Sequence, residues 1–337
     1  MANKQRVLLL GATGETGGAI LKGLLNEPES FEVEALVRPS SVTKPAVKAL
    51  AARGVNIRVA DIEGPLEDLV KTLAGIDVLI STIDPGGQLA QLQLATAAKE
   101  AGVKRFVPCA FTTVAPPGGV MALRDQKEEV YQHVRKLYLP YTIIDVGYWH
   151  QISFPTLPSG RVDYAAVIKP KVEIHAGGAQ PTILIDLNDI GPFVALIIKD
   201  PRTLNNSVIA YGDVLSQNEI FEIMEALSGE KITREYISAD ALIAARAQCA
   251  AANKADPRNH LTWLQLVGQD YSYSKYVRGD NTPEYAKYLG YLDGTELYPD
   301  FRPTKFVEFA RELLDGKMEK IYQNMVFPAK VEVASQK

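Results

Sequence analysis

Three glycines that follow a short apolar run near the N-terminus constrain the fold most strongly. Residues 7–17 read VLLLGATGETG, which places Gly11, Gly14 and Gly17 three residues apart. A loop between a buried parallel strand and a helix presents backbone N–H groups and the positive end of the helix dipole to an anion. The first glycine permits a tight turn, the second lets a pyrophosphate approach, and the third lets the helix pack close to the strand. The pattern predicts dinucleotide binding. A structural turn that binds nothing is the alternative, because turns before helices are often glycine-rich.

The first 150 residues alternate between buried apolar runs and helical periodicity. Predicted strands lie at 7–10, 33–37, 56–61, 77–82, 105–111 and 141–147, and predicted helices at 18–27, 45–54, 67–75, 88–102 and 125–137. The strands are almost wholly apolar, as expected where both faces of a sheet are covered. This alternation predicts an α/β fold, a doubly wound parallel-sheet Rossmann domain with right-handed crossovers.

The alternation ends near residue 150. Loops rich in Gly and Pro at 153–160 and 175–182, helices at 186–201 and 216–229, and a strand within 205–212 precede a mostly helical remainder with Tyr-rich connections around 271–298. We predict a cofactor-binding Rossmann domain over 1–152, to which 183–214 returns. A smaller, mostly helical substrate-binding lobe is expected from 153–182 and 215–337.

Charge and composition exclude several classes of partner. The chain of 337 residues carries 36 Lys and Arg against 40 Asp and Glu, a net charge of −4, and no long block of one sign. It therefore offers no basic surface for nucleic acid or for an anionic membrane, and no apolar run reaches the roughly 18 residues of a spanning helix. Cys109 and Cys249 fit no CxxC spacing, which indicates a reducing compartment. We expect a cytoplasmic protein without nucleic-acid or membrane partners.

The end of the second predicted strand distinguishes the two nicotinamide dinucleotides. An NAD site usually has an acidic residue there, which binds the ribose 2′-hydroxyl. This chain reads VRPSSVTK, with Arg38, Ser40, Ser41 and Lys44 and no acid. Arg38 can form paired hydrogen bonds with a 2′-phosphate, which a carboxylate would repel. The sequence therefore favours NADPH/NADP over NAD(H), with an ordinary solvated arginine as the alternative.

The other chemical motifs are weak or absent. The four histidines stand in no zinc-ligand spacing, so no metal site is expected. Short-chain reductases with this fold often use a Tyr-x-x-x-Lys pair on the helix after the fifth strand. The one such pair here, Tyr271 and Lys275, lies far beyond the sheet in sequence, and we interpret it as coincidence. On the helix after the fifth strand Lys127 points toward the carboxyl edge of the sheet, where it could serve as a general acid or base. A solvated lysine paired with a nearby acid is the ordinary alternative.

The sequence resembles the isoflavone reductase-like family, within the NmrA-like group of atypical short-chain dehydrogenases. The resemblance covers nearly the whole chain, from GATGETG and VRPSS to VKRFVPCAF at 103–111. Its most specific parts are later ones, namely DIG (189–191), DPRTLN (200–205), LSQNE (215–219), VRGD (277–280) and ELYPDFRPT (296–304). The resemblance implies an NADPH-dependent reductase that delivers hydride to a conjugated, benzylic or carbonyl/imine carbon of an aromatic or polyketide-type natural product, in secondary metabolism.

The resemblance also assigns roles to individual residues. Lys127 takes the place of the catalytic lysine, Thr82 and Ile83 border the ribose and nicotinamide, and Phe111 flanks the ring. Tyr148 and Trp149 become candidates for stacking on an aromatic substrate, with ordinary packing at a domain junction as the alternative. The expected cofactor-binding residues are Gly11, Thr13, Gly14, Glu15, Thr16, Gly17, Arg38, Ser40, Lys44, Thr82, Ile83, Phe111 and Lys127.

The chain departs from the plant reductases beside the expected substrate. They have Ser-Glu-Phe-Gly after the fifth strand, where this chain has Cys109, Ala110, Phe111 and Thr112. The departure argues against the plant substrates themselves and for another small aromatic substrate. It also keeps open a second function, an NmrA-like NADP(H)-binding redox sensor without catalysis. The oligomeric state, monomer or homodimer, stays open.

Overall fold

The computed structural model describes residues 4–323. Its strands are β1 (Gln5–Leu10), β2 (Phe31–Val37), β3 (Asn56–Val59), β4 (Val78–Ser81), β5 (Arg105–Val107), β6 (Thr142–Asp145), β7 (Tyr148–Trp149), β8 (Glu173–His175), β9 (Thr182–Ile185), β10 (Asn206–Ile209), β11 (Asp213–Leu215), β12 (Glu235–Ile237) and β13 (Leu292–Asp293). Its α-helices are α1 (Glu15–Leu25), α2 (Pro45–Ala52), α3 (Leu66–Leu73), α4 (Gln91–Glu100), α5 (Ala122–Lys136), α6 (Ile190–Lys199), α7 (Gln217–Ser228), α8 (Ala239–Ala255), α9 (His260–Ser272), α10 (Pro283–Tyr288), α11 (Gly294–Leu297) and α12 (Phe306–Leu314).

The central sheet is parallel and doubly wound. Its strand order is β3-β2-β1-β4-β5, all pairs parallel. A bridge between Phe106 and Tyr141 then joins β5 to β6, which pairs in parallel with β10, and β10 with β13. The change of direction between β1 and β4 is the switch point at which such sheets bind ligands. The predicted fold class, a Rossmann-type α/β fold, is confirmed.

Alternate residues of each strand serve two separate hydrophobic layers. Val7 and Leu9 pack with α1, α2 and α6 on one face, whereas Leu8 and Leu10 pack with α3, α4 and α5 on the other. Since both faces are covered by helices, every position of the strand has to be apolar. This explains the run VLLL that precedes the glycine loop.

A third hydrophobic cluster lies outside the parallel sheet. It joins side chains of 154–184 with α7 and α12, and includes Phe154, Phe221 and Phe309. Segment 183–214 contacts several neighbours, because β10 pairs with β6 while β9 pairs with β7 and β11. The boundaries between a cofactor-binding and a substrate-binding lobe stay a prediction.

One element of the second half differs from the prediction. Around 271–298 the chain is not a set of Tyr-rich connections: α9 continues to Ser272, a π-helix spans Tyr273–Arg278, and α10 follows. Asp280 closes the π-helix, because its carboxylate accepts hydrogen bonds from Ser274 Oγ at 2.8 Å and Arg278 Nε at 2.9 Å. The VRGD segment therefore folds the end of α9 into a fixed wide turn. Among the described residues no helix is both long and apolar enough to cross a bilayer.

Helices α1 and α6 approach each other through glycine. A Cβ atom on Gly191 would lie 2.1 Å from the carbonyl oxygen of Ala19 and 3.0 Å from the Cα of Gly23. This contact fixes α6 against the helix that follows the glycine loop. The sequence alone identifies Gly191 only as part of a capped apolar helix and does not indicate this contact.

We expect Gly191→Ala to lower the free energy of unfolding by about 2 kcal/mol, because the added methyl group forces the two helix backbones apart. Gly18→Ala on α1 is the matched control, since its Cβ would meet nothing closer than Ala12 O at 3.9 Å. Chemical denaturation of the two variants is the measurement. Equal stability of both would contradict the close helix contact.

Candidate functional site

The glycine loop is shaped by two close contacts, one with Thr82 and one within its own backbone. Gly11 has φ +87°, and a Cβ there would lie 2.4 Å from Thr82 Oγ1. A Cβ on Gly17 would lie 2.1 Å from the carbonyl oxygen of Gly11. Both positions therefore exclude side chains for reasons internal to the fold.

Gly14 is different, and its surroundings point to a ligand. A Cβ on Gly14 would meet only Gly11 O, at an ordinary 3.5 Å, so the chain itself leaves room for a side chain. Gly14 and Thr13 are exposed, and no side chain caps the N-terminus of α1 behind them. An uncapped helix N-terminus with open space in front of a glycine fits the pyrophosphate of a dinucleotide.

The residues after β2 form an exposed, positively charged turn. Arg38, Ser40 and Lys44 are all exposed, and the Arg38 carbonyl accepts a hydrogen bond from Ser41 N at 2.9 Å. Within residues 4–323 neither Arg38 nor Lys44 forms an ion pair with a carboxylate. Both cations are therefore available to a phosphate, as the prediction of a 2′-phosphate site requires.

Thr82 and Ile83 follow β4, beside the glycine loop. The Thr82 hydroxyl donates to Leu10 O at 2.8 Å, which ties the end of β4 to the end of β1. The Ile83 carbonyl accepts a hydrogen bond from Cys109 Sγ at 3.2 Å. These two predicted ribose and nicotinamide neighbours thus line the switch point between β1 and β4, and their role there stays a prediction.

Lys127 reaches back from α5 to the end of β5. Its Nζ donates to the carbonyl oxygens of Cys109 at 2.7 Å and Ala110 at 3.0 Å, and to Gln88 Oε1 at 3.3 Å. The side chain is 3 % exposed. The alternative of a solvated lysine paired with an acid is therefore wrong. Gln91 completes the network, because its Oε1 accepts from Cys109 N at 2.8 Å.

Phe111 adopts a backbone conformation that costs free energy. Its φ is +45°, in the left-handed region that residues other than glycine seldom occupy. The amide of Phe111 donates to Ile144 O at 2.8 Å, and its side chain is buried. Strained residues of this kind concentrate at ligand sites. The position agrees with the expected contact of Phe111 with the cofactor ring, which stays a prediction.

The two aromatic substrate candidates have different surroundings. Trp149 is 8 % exposed, belongs to the main hydrophobic cluster and stacks on Tyr322 with ring centroids 5.8 Å apart. These surroundings favour the alternative for Trp149, in which the ring packs in the interior and does not stack on a substrate. Tyr148 is half-buried and lies beside Tyr271, with ring centroids 6.0 Å apart.

The pair that the sequence interpretation set aside lies at this edge of the sheet. Tyr271 shares a 2.6 Å hydrogen bond with Thr112 Oγ1, one residue beyond Phe111. Burial raises the pKa of Tyr271 to about 12, although the bond with Thr112 opposes this shift, so its phenol stays protonated at neutral pH. Tyr271 therefore lies beside the candidate site, although it is far from Thr112 in the sequence.

Sequence reasoning missed the residues that anchor α5. Arg124 Nη1 contacts Asp145 Oδ2 at 2.7 Å, and the Tyr291 hydroxyl donates to the same oxygen at 2.6 Å. Burial alone would lower the pKa of Arg124, but the Asp145 charge keeps it well above its usual value. At the other side Asp270 accepts a hydrogen bond from Ala122 N at 2.8 Å, at the first turn of α5. Nothing in the sequence around Arg124, three residues before Lys127, indicates that it pairs with Asp145.

Comparison with known proteins places the chain in a family. Residues 3–309 match the model of the NmrA-like family, and the chain belongs to that family. It is similar to the asnovolin J 5′,6′-dehydrogenase of Aspergillus novofumigatus, with 42 % identity over 92 % of this chain and 95 % of that protein. It is also similar to the probable pinoresinol-lariciresinol reductase 3 of Arabidopsis thaliana, with 26 % identity over 92 % of this chain and 98 % of the relative.

A solved structure supports the same relationship. The binary complex of leucoanthocyanidin reductase with NADPH from Vitis vinifera matches with a TM-score of 0.76 and 25 % identity, over 92 % of this chain and 99 % of that one. The resemblance to the isoflavone reductase-like group is confirmed, and so is the predicted class of enzyme, an oxidoreductase of that type.

We expect Gly14→Ala to weaken NADPH binding by about tenfold or more, because the methyl group occupies the space proposed for the pyrophosphate. The fold should be unaffected, since the new Cβ would meet only Gly11 O at 3.5 Å. NADPH fluorescence titration and thermal unfolding measure the two effects. Gly17→Ala is the contrasting variant, because it should lower stability as well. Unchanged NADPH affinity in a folded Gly14→Ala protein would contradict the assignment of the loop.

Proposed function

We propose that this chain is an NADPH-dependent oxidoreductase that transfers hydride between the cofactor and a conjugated, benzylic or carbonyl/imine carbon of an aromatic or polyketide-type natural product. The observation that carries the proposal is the convergence of the open glycine loop, the strained Phe111 and the buried Lys127 at one edge of the sheet. NADP(H) is the cofactor, and secondary metabolism is the setting. When bound, the cofactor supplies or accepts the hydride.

The chain's own residues would hold the cofactor at two places. Backbone N–H groups of Thr13, Glu15 and Thr16 at the start of α1 would bind the pyrophosphate, and Arg38 with Lys44 would bind the 2′-phosphate. Glu15 is less available than the sequence suggests, because its Oε1 already accepts a hydrogen bond from Tyr322 N at 2.7 Å. The exposed hydroxyls of Thr13 and Ser40 remain candidates for phosphate contacts.

Lys127 would hold the strand end and move a proton. Its three N–H groups meet three oxygens, and the contact with Gln88 Oε1 at 3.3 Å is the longest. Exchange of that contact for a substrate oxygen would let Nζ donate a proton or stabilise an oxyanion, while the two carbonyls still fix the side chain. Burial of Lys127 would exclude water from this step.

The proposed substrate class rests on relatives that differ in sequence identity and in the reaction for which they are named. One relative is named for the dehydrogenation of asnovolin J at the 5′,6′ position, and others are named as reductases of lignan-type compounds. The higher identity of the fungal relative and the altered residues 109–112 favour a non-plant substrate. We propose reduction as the direction of the reaction, with asnovolin J and NADP⁺ as the first test of the reverse direction.

The direct test is turnover. NADPH oxidation would be scored against aromatic enones, benzylic ethers, quinones and imines, and NADP⁺ reduction against asnovolin J. Hydride transfer to or from any of these compounds would support the proposed enzyme. NADPH binding without hydride transfer across the whole panel would contradict it and favour the redox-sensor alternative.

We expect Arg38→Ala to weaken NADPH binding by about tenfold or more while it leaves NADH binding nearly unchanged, because only NADPH carries the 2′-phosphate. Arg53→Ala, at an exposed arginine after α2, is the matched control. Titration of both variants with both dinucleotides gives the comparison. Equal losses for NADPH and NADH would remove Arg38 from the 2′-phosphate site.

We expect Lys127→Met to lower kcat by about a hundredfold or more, because the variant can neither donate a proton nor stabilise an oxyanion. Lys136→Met, an exposed lysine of the same helix, should keep full activity. Steady-state kinetics and NADPH titration are measured on each protein. Wild-type turnover of Lys127→Met would exclude Lys127 from the chemistry, whereas loss of NADPH binding would assign it to cofactor binding.

A further inference from the structure

A buried lysine lies among tyrosines next to the candidate site. Lys275 is 2 % exposed, and its Nζ lies 3.1 Å from the centroid of the Tyr148 ring and 4.7 Å from that of Tyr276. We call Tyr148, Tyr271, Tyr276 and Lys275 the tyrosine cluster. Its link to the site is Tyr271, which is hydrogen-bonded to Thr112 at the end of β5.

The π-helix directs Lys275 into this cluster. The turn Tyr273–Arg278 is wider than an α-helical one, and Asp280 holds it closed through Ser274 and Arg278. π-Helical turns are rare and occur frequently at functional sites. The turn buries both Ser274 and Lys275, so the lysine does not extend to solvent.

The contacts of the Lys275 amine offset only part of the free energy cost of its burial. The Lys275 Nζ donates to the Tyr276 hydroxyl at 3.3 Å, and two ring faces supply cation–π contacts. No ion pair within residues 4–323 includes Lys275. A buried ammonium without an anion is costly, so a further oxygen acceptor would stabilise it. Burial and the nearby Lys171 charge both lower the pKa of Lys275 well below its usual value.

We propose that the ε-amino group of Lys275 binds a carbonyl-type oxygen of the aromatic substrate, which selects oxygenated substrates. The inference rests on the proposed function and deepens it. The aromatic side chains of the tyrosine cluster suit contact with a substrate ring, and the amine supplies the hydrogen-bond donor that orients it. Lys275 also covers a face of Tyr148, so a substrate would stack on the rest of that ring.

The first experiment tests whether an aromatic carbonyl compound reaches Lys275. The protein with bound NADP⁺ is treated with trans-cinnamaldehyde and sodium cyanoborohydride. A lysine amine and the aldehyde form an imine with loss of water, cyanoborohydride reduces the imine to a secondary amine, and peptide mapping locates the label. Propanal is the aliphatic comparison, and the exposed Lys136 is the internal reference.

We expect the ratio of Lys275 to Lys136 labelling to be about tenfold higher with cinnamaldehyde than with propanal, because the aromatic side chains around Lys275 favour an aromatic aldehyde. An unlabelled Lys275 beside a labelled Lys136, or equal ratios for the two aldehydes, would overturn the proposal. The turnover panel, run on the unlabelled protein, tests the proposed function separately, so the two failures are distinguishable.

The second experiment separates substrate binding from structure. With a substrate found by the turnover panel, Lys275→Met should lower kcat/KM by about ten- to a hundredfold, because the substrate oxygen would lose its buried hydrogen-bond donor. NADPH affinity should be unchanged, and thermal stability should be kept or raised, because a buried amine is removed. Lys287→Met, at an exposed lysine of α10, is the control. A fall in stability with unchanged kcat/KM would make Lys275 a structural residue and overturn the proposal.

Discussion

The candidate site depends on one buried contact, the hydrogen bonds from Lys127 Nζ to the carbonyl oxygens of Cys109 and Ala110. Those carbonyls follow β5, where the strand ends and no further ladder partner is available to them. The contact fixes the chain just before Phe111, so that this residue can hold its left-handed conformation. The positions of Phe111, Thr112 and thus Tyr271 follow from it.

Two groups of elements form this edge of the sheet, and they are held by different kinds of contact. The ends of β1 and β4 are held by backbone contacts among Gly11, Gly17 and Thr82, which leave little freedom for substitution. The opposite wall comes from α9 and the π-helix that follows it. In α9, Tyr271 contacts Thr112 beyond β5, and Asp270 accepts a hydrogen bond from Ala122 N at the start of α5. A cofactor site that is restricted by its backbone and a substrate wall built from side chains would let related enzymes act on different compounds.

Much of the fold could be predicted because its signals are local. The run VLLL, the glycine spacing and the alternating helices specify a parallel sheet without any long-range information. The position of Lys127 could be predicted because it lies on the helix that follows the fifth strand, and that helix begins at the carboxyl edge of the sheet. The resemblance added the family, which the comparisons confirm.

The rest could not be predicted, since it depends on contacts between distant parts of the chain. Tyr271 meets Thr112 across 159 residues, and Arg124 meets Tyr291 across 167. The π-helix at 273–278 depends on Asp280, and the sequence alone favoured connections there. Lys275 next to Tyr148 is a consequence of that turn, which is why a Tyr-x-x-x-Lys spacing looked like coincidence.

The central claim is that the open glycine loop and the basic turn after β2 together select NADP(H). Equilibrium titration of the unmodified protein with NADPH and with NADH tests it most directly. The account predicts a dissociation constant for NADPH at least about tenfold lower than that for NADH. Equal affinity for the two, or no binding of either, would contradict it.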